Sequence, residues 1–190
     1  MPSAFNTHQT NPLTQYPQAW DRASKVKLLV LDVDGVLTNG QVWIGSDGKE
    51  SLKAFDIQDG LGIKLLEQCG IPTAIITGRN TKMVLARCEE LGIKQVHMGV
   101  ENKALALDQV VKSLNLSASD CAVMGDDWPD LQMMKSAGLR ICPAQGHEAV
   151  KEFAHFVTNN SGGNSAVREV CDLILKSQNR YDDLLNKARN

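Results

Sequence analysis

The sequence predicts an α/β protein, a parallel β-sheet covered by helices on both faces and interrupted near its start by one β-hairpin. Three observations point there. Short apolar, partly β-branched runs recur at 26–31, 72–77, 95–98, 121–124, 139–142 and 156–158, as strands buried on both faces require. Between them, 60–68, 81–91, 102–114, 130–137 and 148–154 carry apolar residues at three- and four-residue spacing, the signature of amphipathic helices. Strands alternating with helices of that length form right-handed βαβ units.

Taken in order, residues 1–24 are rich in Asn, Gln, Thr and Pro without a sustained hydrophobic period, and are expected to be a flexible arm. The ordered domain is expected over 25–175 and a C-terminal helix or tail over 176–190. The first strand ends at Asp32-Val33-Asp34-Gly35. Segments 41–44 and 51–55 then alternate around Gly45-Ser46-Asp47-Gly48, which predicts a hairpin insertion over 41–55. Gly70, Gly92 and Asn115 each follow a helical pattern, in the position of a left-handed C-terminal cap. The last pattern, 165–187, places Val167, Val170, Leu173, Ile174, Leu184 and Leu185 along one long amphipathic helix.

Composition narrows the function. The 190 residues fit one compact core, and 20 Lys and Arg balance 22 Asp and Glu without a like-charged run, so no nucleic-acid stripe is present. Apolar stretches fall short of the roughly 20 residues that cross a bilayer, and residues 1–20 lack the pattern of a signal peptide. Five widely separated cysteines, without a CxxC pair, suit reduced thiols in the cytoplasm rather than disulfides or zinc. There is no GxSxG, no complete phosphate-loop motif and no GxGxxG. An EF-hand loop fails because it would place Gly35 at its fourth position and Trp43 at its twelfth.

The chemistry collects at strand ends, where parallel sheets form their sites. Asp32 and Asp34 stand two apart, so both side chains can face one crevice, and Gly35 permits a sharp turn. Asp126, Asp127 and Asp130 follow the strand ending at Met124, and Thr77 follows the strand ending at Ile76. Clustered carboxylates destabilise one another unless a cation neutralises them, and the small hard Mg²⁺ ion prefers such oxygen ligands. Lys103, near the start of a helix, can point its ammonium into the same crevice. A carboxylate nucleophile, a metal cradle, a cation and a hydroxyl donor are what phosphoryl transfer through an aspartyl-phosphate needs.

These motifs, Asp32-Val33-Asp34-Gly35-Val36-Leu37-Thr38, Ile76-Thr77-Gly78-Arg79, Lys103, and Gly125-Asp126-Asp127 with Asp130, resemble in order the four motifs of the haloacid dehalogenase superfamily. Lys53-Ala54-Phe55, Asp59-Gly60, Arg87-Cys88, Leu91-Gly92-Ile93 and the stretch from Ala166 to Asp172 resemble a branch acting on a small phosphorylated sugar acid. The likeness runs from about residue 25 to residue 175.

The resemblance implies a Rossmann-like, capless fold and a Mg²⁺-dependent phosphatase. It makes Asp32 the nucleophile, and Asp32, Asp126 and the backbone carbonyl of Asp34 the metal ligands. Asp34 would also be general acid and base, and Thr77 and Lys103 would hold phosphoryl oxygens. Asp127 and Asp130 would support the metal waters or the substrate, with Gly35 and Gly78 as further supporting residues. Substrate contacts are implied at Asp34, Phe55, Asp56, Ile57, Gln58, Asp59, Ile63, Arg79, Arg87, Lys103 and Asp127. Guanidinium groups suit an acid substrate because their planar fork matches a carboxylate. Asn39 replaces an acidic residue common in relatives, and Gly162-Gly163-Asn164-Ser165 replaces Gly-Gly-Arg-Gly, removing a cation from the tail.

Between Asp34 and Thr77 lie 42 residues, enough for a hairpin and one helix but not for a cap domain. Neighbouring subunits are therefore expected to wall the site, with the 41–55 hairpins packed around a symmetry axis; the resemblance implies a homotetramer. Two alternatives share parts of this pattern. A phosphatase for a nine-carbon sugar acid 9-phosphate would keep the same motifs and differ in its pocket. A non-catalytic sugar-phosphate sensor would lose one of Asp32, Asp34, Lys103 or Asp126, and all four are present.

Overall fold

The computed structural model describes residues 16–190. The elements are α1 (Pro17–Ala23), β1 (Leu28–Leu31), β2 (Trp43–Ile44), β3 (Glu50–Leu52), α2 (Ile57–Gln68), β4 (Thr73–Ile76), α3 (Lys82–Leu91), β5 (Gln95–His97), α4 (Lys103–Ser113), β6 (Cys121–Met124), α5 (Leu131–Lys135), β7 (Leu139–Cys142), α6 (Glu148–Phe153), β8 (Phe156–Val157), α7 (Ala166–Ser177) and α8 (Tyr181–Arg189). Among the described residues, six strands form one sheet in the order β5-β4-β1-β6-β7-β8, and β2 pairs with β3 apart from it. Every pairing in the large sheet is parallel. The α/β prediction, with its inserted hairpin, therefore holds.

β1 shows why the apolar runs have no polar face. Leu29 and Leu31 point into a core shared with Ile63 and Leu66 of α2, Val84 of α3 and Val167 and Val170 of α7. Leu28 and Val30 point the other way, onto Leu107 and Val110 of α4 and Met133 and Met134 of α5. Each such side chain, fully withdrawn from water, contributes about 2 kcal/mol. Asp56, Thr81 and Asn102 accept amide hydrogens at the starts of α2, α3 and α4, and Gly70, Gly92 and Asn115 take the left-handed conformation expected of them.

Three expectations change. Residues 1–15 of the expected arm lie outside the described residues, but its remainder contains α1. Pro17 begins that helix without forfeiting a needed amide, and Ala19 and Ala23, one turn apart, are buried at 2% and 0% exposure. Arg22 also donates to the Gly138 carbonyl at 2.8 Å. The polar residues before it hide this short helix from composition.

The single helix expected over 165–187 is two. Asn179 is left-handed at φ 56, the Arg180 amide closes back on Leu175 O at 2.8 Å, and Gln178 turns its side chain onto the carbonyls of Ala23 and Val26. Asparagine thus stops the helix where no glycine advertises the end. The hairpin strands are also shorter than 41–44 and 51–55, because the chain after Leu52 leaves the ladder at Lys53, whose ammonium is drawn to Asp34.

The packing of α2 on α7 carries a buried acid. Asp59, 1% exposed, accepts the Arg168 amide at 2.7 Å, while its other oxygen has no hydrogen-bond partner among the described residues. Burial, with some help from the charge of Asp56, raises its pKa to about 6, against the pull of the α7 amides. A carboxyl raised in the folded state costs stability as pH climbs from its ordinary value, near 4, towards the folded one. Asp59→Asn, which keeps the acceptor, should therefore gain stability over the native chain between about pH 4 and pH 6.5, by an amount on the order of 2 kcal/mol. Urea unfolding at both pH values checks this, and a difference independent of pH would contradict it.

Candidate active site

β1 and β6 are hydrogen-bonded neighbours, so the residues following them, Asp32 and Asp126, arrive side by side. The Asp32 amide extends the pairing by donating to Met124 O at 3.1 Å. The chain then turns sharply, with the amides of Val36, Leu37 and Thr38 all donating to the Val33 carbonyl. Gly35 occupies φ 89, and a Cβ there would lie 2.0 Å from a carboxylate oxygen of Asp126. Glycine is therefore required twice over, by conformation and by the close approach of backbone to carboxylate.

One oxygen from each of Asp32, Asp126 and Asp130 falls within 4.8 Å of the others. Lys103, at the first position of α4, reaches Asp32 Oδ1 at 2.8 Å and Asp130 Oδ1 at 2.6 Å. Asp130 spends its second oxygen on the amides of Asp126 and Asp127, at 3.0 and 3.3 Å. It thus acts as the brace of its loop and of Lys103, leaving Asp32 and Asp126 as the carboxylates with oxygens to offer.

The electrostatics follow from the count. Three carboxylates face one ammonium, an excess of two negative charges in a largely buried place. Burial first, then the charge of Asp130, raises the Asp32 pKa to about 6 in spite of Lys103. Burial and the charges of Asp32, Asp130 and Asp127 raise Asp126 to about 7. Burial works against the Lys103 ammonium, but Asp32 and Asp130 overcome it and hold the pKa above its ordinary value. An all-oxygen donor set with an excess of two negative charges fits a hard divalent cation.

The other candidates scatter more. Thr77 closes β4, the strand beside β1; it is 1% exposed, and its hydroxyl accepts the Arg79 amide at 3.4 Å. Gly78 is exposed on the same turn. Asp34 pairs with Lys53 and Arg79, the latter's Nε at 3.7 Å. Asp127 is exposed and accepts the Trp128 amide as the cap of a short turn.

The stretch expected to meet substrate is divided. Ile57 and Gln58 are exposed and Phe55 is half-buried. Asp56 caps α2 and takes the Ser165 hydroxyl at 3.1 Å. Asp59 and Ile63 are buried, 1% and 2% exposed, with the Asp59 carboxylate on the start of α7. Arg87 lies near the Phe55 ring and donates to the Asp56 carbonyl at 2.9 Å and to Glu90 at 2.8 Å, which braces the start of α2 against α3.

Sequence reasoning missed Glu50, the function of Lys53, and Gln145. The first two carried a signal, opposite charges three residues apart at and just after the second hairpin strand. Gln145 carried none; it donates to the Gly35 carbonyl at 2.6 Å and accepts the Gly162 amide at 2.8 Å. The Gly162-Gly163 segment is thereby pinned onto the turn after Asp34, where a Cβ on Gly162 would lie 1.9 Å from Gly35 O. The Asn39 side chain hydrogen-bonds with Gln41, two residues on.

Comparison with known proteins gives concordant matches. Residues 96–170 match the model of a haloacid dehalogenase-like hydrolase family. The chain is 41% identical over 167 residues, 88% of each chain, to the 3-deoxy-D-manno-octulosonate 8-phosphate phosphatase of Salmonella typhimurium. It is similar in structure to the enzyme of that name from Moraxella catarrhalis, solved with magnesium, phosphate and the sugar acid KDO, at 44% identity and TM-score 0.86, covering 90% of this chain and 97% of that one. It is likewise similar to the Yersinia pestis enzyme, at 39% identity and TM-score 0.85, covering 87% and 89%.

Because a cation binds the ionised carboxylates, Mg²⁺ should displace the protons that Asp32 and Asp126 hold near pH 6. Calorimetric titration in two buffers of different ionisation heat should show proton release at pH 6 that fades by about pH 8, with affinity rising over the same range. Binding without proton release at pH 6 would contradict the charge account.

Proposed function

The chain belongs to the haloacid dehalogenase-like hydrolases, within the family of 3-deoxy-D-manno-octulosonate 8-phosphate phosphatases, and from that premise we propose that it hydrolyses the 8-phosphate monoester of this sugar acid. The products are the free sugar acid, a lipopolysaccharide precursor, and inorganic phosphate. The observation that carries the reading is Asp32, a buried carboxylate at a strand end, held by Lys103 within a cluster of acids.

Asp32 attacks phosphorus in line with the ester oxygen. The P–O bond to the sugar breaks as the aspartyl–phosphorus bond forms, and Asp34, entering this step in its protonated form, gives the departing oxygen that proton. Asp34 then takes a proton from water, whose oxygen attacks phosphorus and frees Asp32 and phosphate. Lys103, fixed by Asp130, and Thr77 hold phosphoryl oxygens, so positive charge and a hydrogen-bond donor wait where negative charge moves. Asp32, Asp126 and the Asp34 carbonyl would hold Mg²⁺, which when bound neutralises the acids and the phosphoryl group.

We assign contacts with the sugar acid to Arg79, 45% exposed in its side chain, to Asp127 and to the stretch from Phe55 to Gln58. The hairpin supports a homotetramer: Trp43, Ile44 and Leu52 are 56%, 60% and 63% exposed, an apolar surface that a second copy would cover. We place the enzyme in the cytoplasm, a reading that its five free cysteines support.

Two outcomes are expected. Phosphate release from the 8-phosphate should require Mg²⁺, exceed release from nine-carbon analogues, and fall by about 10⁴-fold or more in Asp32→Asn. That variant should melt no lower than the native chain without Mg²⁺, since it removes a repelling charge; full activity would refute the nucleophile assignment. Light scattering should give a tetramer that Trp43→Ser weakens together with turnover, whereas an active monomer would refute shared walls.

A further inference from the structure

The hairpin brings more than an apolar surface to the site. Lys53, the first residue after β3, has a side chain only 1% exposed, a place where an ammonium persists only if paired. Its Nζ contacts Asp34 Oδ1 and lies 2.9 Å from Glu50 Oε1. Glu50, 7% exposed, gives its other oxygen to Arg79 Nη2 at 2.9 Å, and Arg79 Nε returns to Asp34 Oδ2 at 3.7 Å. Two cations and two anions from three separate segments of the chain thus close a ring, and the ring contains the acid–base residue of the reaction proposed above.

An aspartate on a turn, 21% exposed, has rotational freedom that proton transfer does not tolerate, because donor and acceptor must meet within hydrogen-bond reach. We propose that Lys53 and Glu50 are positioning residues, Lys53 fixing the Asp34 carboxylate and Glu50 presenting Arg79 to the carboxylate of the sugar acid. The ring is electrically balanced, so its members need no bound ion to stay together. The hairpin then serves proton transfer and substrate choice as well as enclosure.

This inference rests on the phosphatase reading, and steady-state kinetics on the Mg²⁺-loaded enzyme separates the two. Lys53→Met should lower kcat by about 100-fold, the cost of misplacing a reacting group by an ångström, with KM for the 8-phosphate changed far less. Lys53→Arg, which restores the cation, should recover much of kcat. Glu50→Gln should show the opposite split, raising KM by about 10-fold while kcat moves less. A ring that merely anchors the hairpin predicts lower melting temperatures, with kcat per folded enzyme and KM unaltered in both variants, and that result overturns the proposal. Wild-type enzyme inactive on the 8-phosphate overturns the phosphatase reading itself, whereas an active wild type with a fully active Lys53→Met overturns the positioning role alone.

Discussion

An excess of negative charge at adjacent strand ends is the constraint on which the site depends. With their oxygens within 4.8 Å, each pair among Asp32, Asp126 and Asp130 repels by about 3–4 kcal/mol at an effective dielectric near 20. One ammonium, Lys103, offsets only part of this. The fold accepts that cost because hydrogen-bonded β1 and β6 deliver Asp32 and Asp126 to neighbouring places, and the start of α4 delivers Lys103. Without a cation the repulsion surfaces as raised pKa values on Asp32 and Asp126. With one, the same charges become ligands, and the ionised Asp32 is free to act as a nucleophile.

A second electrostatic arrangement lies beside the first and works on the opposite principle. The ring of Asp34, Lys53, Glu50 and Arg79 balances its own charges, so it holds its geometry with no ligand present. Burial alone would raise the pKa of Glu50, but contacts with Lys53 and Arg79 bring it below the ordinary range. Asp32 and Asp34 are two residues apart and belong to different circuits, one waiting for a cation and one already satisfied. That division suits the separate tasks of forming a phosphoryl ester and moving a proton.

Much of this was legible in the sequence, for physical reasons. β1 and β6 are continuous apolar runs that end in acids, and burial on both faces leaves such runs no other reading. Gly35 was legible as a turn, though the carboxylate pressed against it was not. Asp59 was illegible, because its environment is made by Arg168, 109 positions away, and a buried acid at a helix start looks in sequence like an exposed one. The Glu50 and Lys53 pair was visible as opposite charges three residues apart, but its target, Asp34, depends on how the hairpin folds back. The break at Asn179 and the short α1 were hidden because a lone asparagine and two alanines are weak local signals, and tertiary contacts decide both.

Anomalous diffraction from crystals soaked in Mn²⁺ tests the central claim most directly, since the ion scatters distinctively and shares the oxygen preference of Mg²⁺. A single strong peak between the carboxylates of Asp32 and Asp126, beside the Asp34 carbonyl, is the predicted result. A peak elsewhere, or none at saturating Mn²⁺ with the acids ionised, would contradict it.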